Sequence, residues 1–403
     1  CALPISGLVP LENASMAGRV VAQWDKDDCE GLGIIKVDLL GLGMMAALQD
    51  AIELTTRRGR PVDLARLPQD DPATFALLQR ADTIGVFQVE SRAQMATLPR
   101  MKPACFYDLV IEVALIRPGP IQGDLAHPYL RRRGGLEAVS YLDPRLEPIL
   151  ARTLGVPLFQ EQMLEIAMVM ADFSGDEAEN LRKALSFHRS DEKMAQATAK
   201  LREAMARKGV APEAIDSIAK TVGSFSLYGF PESHAISFAL LAYASAYLKV
   251  HRAPEFYAAL LNNQPMGFYS SATLLRDAKA HGVSVRPVCA ARSDWPTRVE
   301  SDGSLRLGLC LVQGLSSAEA TDLLEARARR PFASLDDLKA RTSLGPGALR
   351  ALASIGALNA WSIDRRSALW DAERPLRRGE LPVGTGPADG PAQPRSSGSP
   401  LGP

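Results

Sequence analysis

The sequence predicts a mainly α-helical protein with a small α/β part. Alanine and leucine are abundant, and aromatic residues make up only 6% of the 403 residues, a composition that favours helices. Apolar residues recur at three- and four-residue spacing over most of the chain, with breaks at glycine and proline. Hydrophobic residues at 46% and charged residues at 23% are ordinary values for a globular protein of two or three domains.

Composition excludes some function classes and leaves others open. The 46 basic residues balance the 46 acidic residues, so net charge neither predicts nor excludes a nucleic-acid partner. The five cysteines are scattered without a C-x-x-C pair, which argues against a disulfide framework and against a zinc site. The sequence contains no run of 18 apolar residues and no secretory leader pattern, so we expect a cytoplasmic protein with no membrane partner.

The chain begins with a predicted strand and helix. Residues 31–41 form a short apolar run between glycines, the pattern of a buried strand, and residues 44–57 have helical spacing. Lys36 and Asp38 lie two apart on the strand, so their side chains share one face. A carboxylate on a rigid strand suits Mg²⁺, and the lysine beside it could meet a phosphate. Spacing alone favours a surface ion pair over a metal site.

A succession of helices is predicted from residue 71 to residue 255. The segments with helical spacing are 158–172, 176–185, 191–208, 212–222 and 234–251. Asp176 and Asp191 occupy the positions expected for N-caps, and Gly209 occupies the position expected for a C-cap.

The last third of the chain changes in character. Residues 283–288 and 305–309 alternate like short strands on either side of a turn at 301–304. Two helical hairpins are predicted after them, up to about residue 370. The last 30 residues hold seven prolines, six glycines and three serines, so we predict a disordered tail.

Six short segments occur in a fixed order over more than 200 residues. They are 33–42 (GIIKVDLLGL), 84–92 (IGVFQVESR), 114–120 (ALIRPGP), 158–162 (LFQEQ), 181–184 (LRKA) and 228–235 (YGFPESHA). This series resembles the C family of bacterial DNA polymerases, the DNA polymerase III alpha-subunit type. Any one segment alone would be weak evidence, but six in the family's order do not arise by chance.

Two segments point to one branch of that family. Pro231 and Glu232 stand where replicative members usually carry Asn-Lys, and residues 185–190 (LSFHRS) replace a lysine-rich stretch. Both are similar to the error-prone, damage-associated branch. The resemblance therefore implies a role in damage tolerance and damage-induced mutagenesis.

The resemblance also implies a domain organisation. It predicts the C-terminal part of a palm at 1–45, fingers at 46–282, a small β element with a tandem helix-hairpin-helix-like DNA-binding region at 283–370, and the disordered tail at 371–403. The family's N-terminal PHP domain and its first two palm aspartates, in an Asp-x-Asp motif, are expected upstream of this chain. Asp25-Lys26-Asp27 has the Asp-x-Asp form, but we interpret it as a solvated acidic turn leading into the Asp38 strand.

The activity implied by the resemblance is template-directed nucleotidyl transfer from dNTPs to a primer 3′-hydroxyl by a two-magnesium mechanism. Asp38 matches the third palm aspartate and is the predicted catalytic residue and Mg²⁺ ligand. One carboxylate does not easily hold two magnesium ions, so we expect the chain alone to be inactive. The alternative is a non-catalytic DNA-binding or scaffold protein derived from the same fold.

Several side chains are candidates for contact with the incoming nucleotide. Guanidinium and ammonium groups suit phosphates, and the basic candidates are Lys36, Arg92, Arg117, Arg182 and Lys183. For each arginine a structural salt bridge is an equal alternative. Tyr228 and His234 either line the nucleotide pocket or pack the fingers, and Ser233 is expected to cap the helix that begins there.

Two further groups are candidates for DNA binding. Arg131, Arg132 and Arg133 could meet backbone phosphates, or they form a solvated turn. Gly314-Leu315-Ser316 resembles the turn of a helix-hairpin-helix, with a plain αα-hairpin as the alternative. The implied partners are primed template DNA and dNTPs. The resemblance also implies a sliding clamp and mutagenesis accessory proteins, bound through regions that are not recognisable in this sequence.

Overall fold

The computed structural model describes residues 7, 9–16, 18–24, 28, 31–33, 43–116, 122–184, 191–225 and 230–375. Side chains are described for the same residues, except within the helical stretches 122–127, 183–184, 191–194 and 223–225. The predicted acidic turn at 25–27, residues 34–41 of the predicted strand and residues 376–403 of the predicted disordered tail lie outside the described residues. The first residues of the predicted tail, 371–373, are the end of a helix instead. Leu32 and Gly33, at the start of that strand prediction, lie in a turn instead.

The described residues are mainly helical, which confirms the predicted fold class. In chain order the α-helices are α1 Gly43–Arg57, α2 Pro72–Gln79, α3 Arg92–Met101, α4 Phe106–Leu115, α5 Gln122–Arg133, α6 Glu147–Leu150, α7 Gln160–Ala171, α8 Gly175–Ala184, α9 Asp191–Arg207, α10 Pro212–Phe225, α11 Glu232–His251, α12 Ala253–Asn262, α13 Ser271–Ala280, α14 Ser317–Arg329, α15 Leu335–Arg341, α16 Pro346–Ser354 and α17 Arg365–Glu373. The six helices that the sequence predicts between residues 44 and 251 agree with these bounds to within three residues at each end.

Two small sheets accompany the helices. Strand β1 (Leu11–Asn13) pairs antiparallel with β2 (Val20–Ala22), and the sequence did not predict this hairpin. In the second sheet, β5 (Leu305–Arg306) lies between β3 (Val285–Arg286), parallel to it, and β4 (Arg298–Val299), antiparallel to it. The predicted strands are therefore too long, and β4 was missed.

The strands are short because a proline ends one of them and because the residues that follow pack into another core. Pro287 follows β3, and proline has no N–H to donate to a sheet ladder. Val288 and Leu309, which the sequence predicts as strand residues, are instead buried in the core of the C-terminal helices.

Helix α11 is the central element of the fingers region. It packs against α1, α2, α4 and α12, and its residues contribute to two of the four apolar cores that the described residues form. Helices α7 to α10 surround a third core, and α14 to α17 surround the fourth. Among the described residues, no helix combines the length and apolar character that a membrane span needs.

The helix ends correct two sequence predictions. Ser174, not Asp176, caps α8: its backbone N–H donates to Glu177 Oε2 at 3.0 Å and its Oγ accepts from the Glu177 N–H at 3.3 Å. Ser233 does not cap α11, because the helix already begins at Glu232, so Ser233 is its second residue. Gly209, with φ at +73°, follows α9 as predicted.

Glu112, on α4, is a buried carboxyl group whose two oxygens have no hydrogen-bond partner among the residues that the structure describes. Burial raises the pKa of Glu112 from its ordinary value to about 8. The folded protein therefore holds this proton more tightly than the unfolded chain, and the associated stability is present below pH 4.5 and lost as the pH rises towards 8.

Glu112→Gln is expected to raise the free energy of unfolding at pH 8 by about 2–4 kcal/mol, with little change at pH 5. Denaturant unfolding at the two pH values measures the effect. Glu203→Gln, at an exposed position on α9, is the control and should leave the pH dependence unchanged. The same pH dependence in wild type and Glu112→Gln would contradict the expectation.

Candidate functional site

The segment 84–92 is attached along helix α11. The backbone N–H of Phe87 donates to Ser245 Oγ at 3.1 Å. The Phe87 ring stacks on Phe238, with centroids 5.4 Å apart and planes 19° apart. Two stretches of chain 158 residues apart therefore form one surface.

Two further segments of the predicted series meet at the beginning of α11. The Gln160 N–H donates to the carbonyl oxygen of Phe230 at 3.1 Å. The Glu232 N–H, in the first turn of α11, donates to Glu161 Oε2 at 2.8 Å. A carboxylate at this end is favourable, because the first N–H groups of a helix have no partner within the helix. The Glu161 carboxylate therefore helps to hold the first turn of α11 in position.

Four rings form an aromatic wall at this end of α11, made of Phe87, Phe230, His234 and Phe238. The His234 ring lies 5.1 Å from Phe230 and 4.5 Å from Phe238, measured between centroids. His234 is exposed, while the three phenylalanines are partly buried. The wall thus offers aromatic faces and one polar ring to solvent, a surface suited to a base or a sugar.

The same segment continues into α3, where Ser91 caps the helix by accepting from the Gln94 N–H at 3.3 Å. Arg92 is the first residue of α3 and is exposed; it has no ion pair within the described part of the chain. Two residues before Arg92, Glu90 has one buried oxygen without a partner in the described part of the chain. Burial raises the pKa of Glu90 to about 7, although the Gly85 backbone N–H opposes the shift.

The three arginines at 131–133 lie in the last turn of α5 and not in a loop turn. Arg131 and Arg132 both pair with Glu137, and Arg133 Nη2 lies 2.6 Å from Asp108 Oδ2. The side chains of Arg132 and Arg133 are only 12% and 27% exposed, whereas that of Arg131 is 49% exposed. These ion pairs favour a structural role for Arg132 and Arg133 and leave Arg131 the most accessible of the three.

The remaining predicted phosphate contacts are less well placed. Arg182 Nη2 lies 2.7 Å from Glu179 Oε1 on the same helix, with its side chain 39% exposed. Lys36, Asp38, Arg117 and Tyr228, and the side chain of Lys183, lie outside the described residues.

The predicted helix-hairpin-helix turn is present. Gly314 has φ at +87°, Leu315 is buried, and Ser316 caps α14 in a capping box with Glu319. Glu319 Oε2 accepts from the Ser316 N–H at 3.0 Å, and its Oε1 accepts from the Gly345 N–H of the second hairpin at 3.1 Å. Glu319 therefore joins the turns of the two hairpins.

Sequence reasoning missed a buried ion-pair network, which we call the Lys249 cluster (Asp82, Lys249, Tyr257, Asp277 and His281). The fully buried Lys249 Nζ lies 3.1 Å from Asp82 Oδ1 and 2.8 Å from Asp277 Oδ2. Tyr257 donates to Asp277 Oδ2 at 2.6 Å, and His281 Nε2 lies 2.8 Å from Asp82 Oδ2. The available signal was a lysine between two apolar residues, Leu248 and Val250, near the end of a largely apolar helix.

Interactions within the Lys249 cluster shift the pKa values of Asp82 and Tyr257. Burial opposes ionisation of Asp82, but Lys249 and His281 more than offset burial and lower the pKa of Asp82 below its ordinary value. Burial and the bond to Asp277 raise the pKa of Tyr257 far above its ordinary value. Asp82, Asp277 and His281 hold possible metal ligands within 4.8 Å of one another, but the Lys249 ammonium already supplies the positive charge there.

Comparison with family models assigns three parts of the chain. Residues 44–209 match the bacterial DNA polymerase III alpha subunit finger domain, and residues 1–41 match the bacterial DNA polymerase III alpha NTPase domain. Residues 282–368 match the helix-hairpin-helix motif.

Relatives match almost the whole chain. The error-prone DNA polymerase of Alkalilimnicola ehrlichii is 51% identical over 372 residues, 91% of this chain and 36% of that protein. Error-prone DNA polymerase 2 of Rhizobium meliloti is 50% identical over 392 residues, 96% of this chain and 36% of that protein. The chain belongs to the C family of bacterial DNA polymerases. The family and the error-prone branch predicted from the sequence are thereby confirmed.

The C-family chain is shorter than these relatives. It spans about 36% of their length. The match to the finger domain begins at Met44, the second residue of helix α1, and includes the segment 84–92. The aromatic wall and the Lys249 cluster both combine residues of this match with residues of α11, which lies beyond its end at 209.

Proposed function

We propose that this chain supplies the fingers and part of the palm of an error-prone DNA polymerase, which transfers nucleotides from dNTPs to a primer 3′-hydroxyl. The observation that carries the proposal is the convergence on α11, where distant segments of the family-like series form a partly exposed aromatic wall. Residues 1–45 correspond to palm, 46–282 to fingers and 283–370 to the β element with the DNA-binding hairpins. Damage tolerance and damage-induced mutagenesis belong to the same proposal, for which the names of the relatives supply only the error-prone character.

Asp38 is the residue of this chain that we assign to Mg²⁺. A carboxylate oxygen is a preferred Mg²⁺ ligand. The two aspartates of the Lys249 cluster both lie within 3.1 Å of one ammonium group, whose positive charge would repel a metal ion, so they fit a metal poorly. Bound Mg²⁺ would polarise the phosphate and lower the pKa of the primer hydroxyl. Lys36, two residues before Asp38, is assigned to a phosphate of the nucleotide.

The other contacts follow from exposure and charge. We assign the phosphates of the incoming dNTP to the exposed Arg92, with Arg117, Arg182 and Lys183 as further candidates. The base and sugar are assigned to the aromatic wall at His234, together with Tyr228. Primed DNA is assigned to the hairpin region and to Arg131. The cytoplasm is the proposed location, and the proposed contacts with a sliding clamp and mutagenesis accessory proteins involve regions beyond these residues.

The purified chain is expected to bind primed template DNA but to extend no primer. Each phosphate contact should contribute about −0.9 to the slope of log affinity against log salt. Fluorescence anisotropy between about 50 and 200 mM salt measures the slope, because affinity that depends on phosphate contacts falls steeply over this range. Gel analysis of a labelled primer with dNTPs and Mg²⁺ measures extension. Absence of DNA binding at the lowest salt would contradict the proposed function. Nucleotide incorporation would instead contradict the expected inactivity.

A chimera separates the polymerase from the scaffold alternative. In it, this chain replaces the matching segment of the Alkalilimnicola ehrlichii relative, which supplies the rest of the protein. A polymerase component should support primer extension in this chimera. A DNA-binding scaffold should bind the same primed DNA and extend nothing.

A further inference from the structure

One stripe of α11 faces the segment 82–92. Phe238, Ser245 and Lys249 are spaced seven and four residues apart, so they lie on one face of the helix. His234 precedes Phe238 by four residues and extends the same stripe to the exposed beginning of the helix. The stripe therefore runs from the aromatic wall into the buried Lys249 cluster.

The stripe holds the segment at three points. Phe238 stacks on the ring of Phe87, and Ser245 Oγ accepts from the Phe87 backbone N–H at 3.1 Å. Lys249 Nζ donates to the carbonyl oxygens of Asp82 and Ile84, each at 3.1 Å. The backbone of the segment is thus bonded to side chains of α11 on both sides of Gly85.

The segment itself is stiff. Thr83 Oγ1 donates to the carbonyl oxygen of Val89 at 2.7 Å across the loop. Gly85 has φ at +74°, and a Cβ added there would lie 2.7 Å from Leu260 Cδ1, so the backbone packs closely against α12. A displacement at Phe87 is therefore transmitted to the residues that follow it, including Arg92.

We propose that Ser245 is a positioning residue for the incoming deoxynucleoside triphosphate. Ser245 is fully buried, and its hydroxyl donates to the Ala242 carbonyl oxygen at 2.9 Å, which directs a lone pair at the Phe87 N–H. Through that bond it holds the aromatic wall and Arg92 in register with His234. Without the hydroxyl, the N–H loses its partner and the segment shifts to regain one. This role presupposes the proposed function.

Ser293 offers a matched control in the C-terminal region. It is also fully buried, its Oγ accepts from the Cys289 N–H at 3.0 Å, and it donates to the Leu307 carbonyl oxygen at 2.7 Å. Loss of either serine hydroxyl removes one accepted and one donated hydrogen bond to the backbone. Only Ser245 is bonded to a residue of the aromatic wall.

The test compares Ser245→Ala with Ser293→Ala in the chimera. Ser245→Ala is expected to raise KM for dNTP about fivefold or more, with the Kd for primed DNA within about twofold of wild type. Ser293→Ala should lower the melting temperature about as much as Ser245→Ala does, but it should leave KM for dNTP unchanged. A fall in kcat with unchanged KM in Ser245→Ala, as for a merely structural serine, would overturn the proposal.

A second pair of variants isolates the hydroxyl. The threonine and valine side chains have nearly the same shape, so Ser245→Thr and Ser245→Val crowd the site equally. Only threonine keeps a hydroxyl that can accept from the Phe87 N–H. Threonine should keep KM near that of wild type, whereas valine should raise it; equal KM values would overturn the proposal even where the alanine variant does not fold. A wild-type chimera that binds primed DNA but does not extend it would contradict the proposed function, and the role of Ser245 with it.

Discussion

Asp38→Ala in the chimeric polymerase is expected to lower the rate of primer extension about 1000-fold or more. The substitution removes a metal ligand, and metal-ion stabilisation of the transition state is worth several kcal/mol, with each 1.4 kcal/mol equal to about a factor of ten. Affinity for primed DNA should change by less than about twofold, because no phosphate contact is lost. Single-turnover extension and anisotropy measure the two effects.

Asp27→Ala is the matched control for that experiment. Asp27 belongs to the Asp-x-Asp sequence that we interpret as a solvated turn, so its loss should leave extension near the wild-type rate. Full extension by Asp38→Ala would refute the assignment of Asp38 as a metal ligand. Loss of extension in Asp27→Ala alone would instead assign the metal site to the Asp25-Lys26-Asp27 sequence.

Lys249→Met is expected to lower the free energy of unfolding of the fingers region by about 3–5 kcal/mol. The substitution leaves Asp82 and Asp277 partly or fully buried without the ammonium group that lies within 3.1 Å of both. It also removes the donor to the carbonyl oxygens of Asp82 and Ile84. Urea unfolding followed by circular dichroism, together with hydrogen exchange of α11 and α13, measures the loss.

Lys279→Met, at an exposed position on α13, is the control and should change stability by less than about 0.5 kcal/mol. The pH dependence supplies a second readout. Because the folded-state pKa of Asp82 is lowered, its contribution to stability is present above the ordinary pKa and is lost as the pH falls below about 4. Lys249→Met should weaken this acid dependence. Equal stability of the two lysine variants would show that the ion pairs contribute nothing.

Helices could be predicted from sequence because their pattern is local. Each helical residue bonds to a residue four positions away, so the apolar spacing of a short segment already defines the element. Errors arose where neighbouring residues compete to cap the same helix. Ser174 and Glu177 form a reciprocal capping box, so α8 starts before Asp176. The strands were predicted poorly, because β4 exists only through its pairing with β5.

The candidate site was predicted as a set of residues rather than as an arrangement. His234, Arg92 and Arg182 were identified from the resemblance, but sequence could not tell an exposed guanidinium from a paired one. In the structure Arg92 is exposed at a helix start, while Arg132 and Arg133 are bound to carboxylates five and 25 residues away. A side chain's partners depend on packing over the whole chain, which periodicity does not encode.

The sequence by itself determined the family, the helical fold class and Asp38 as the predicted metal ligand, because these depend on residue identity and local spacing. Only the tertiary structure decided that Phe87 and His234 share one wall, and that Lys249 is buried between Asp82 and Asp277. The physical reason is the same in both cases. Lys249 and Asp82 are 167 residues apart, and a charge becomes stable in the interior only when such a distant partner is brought to it.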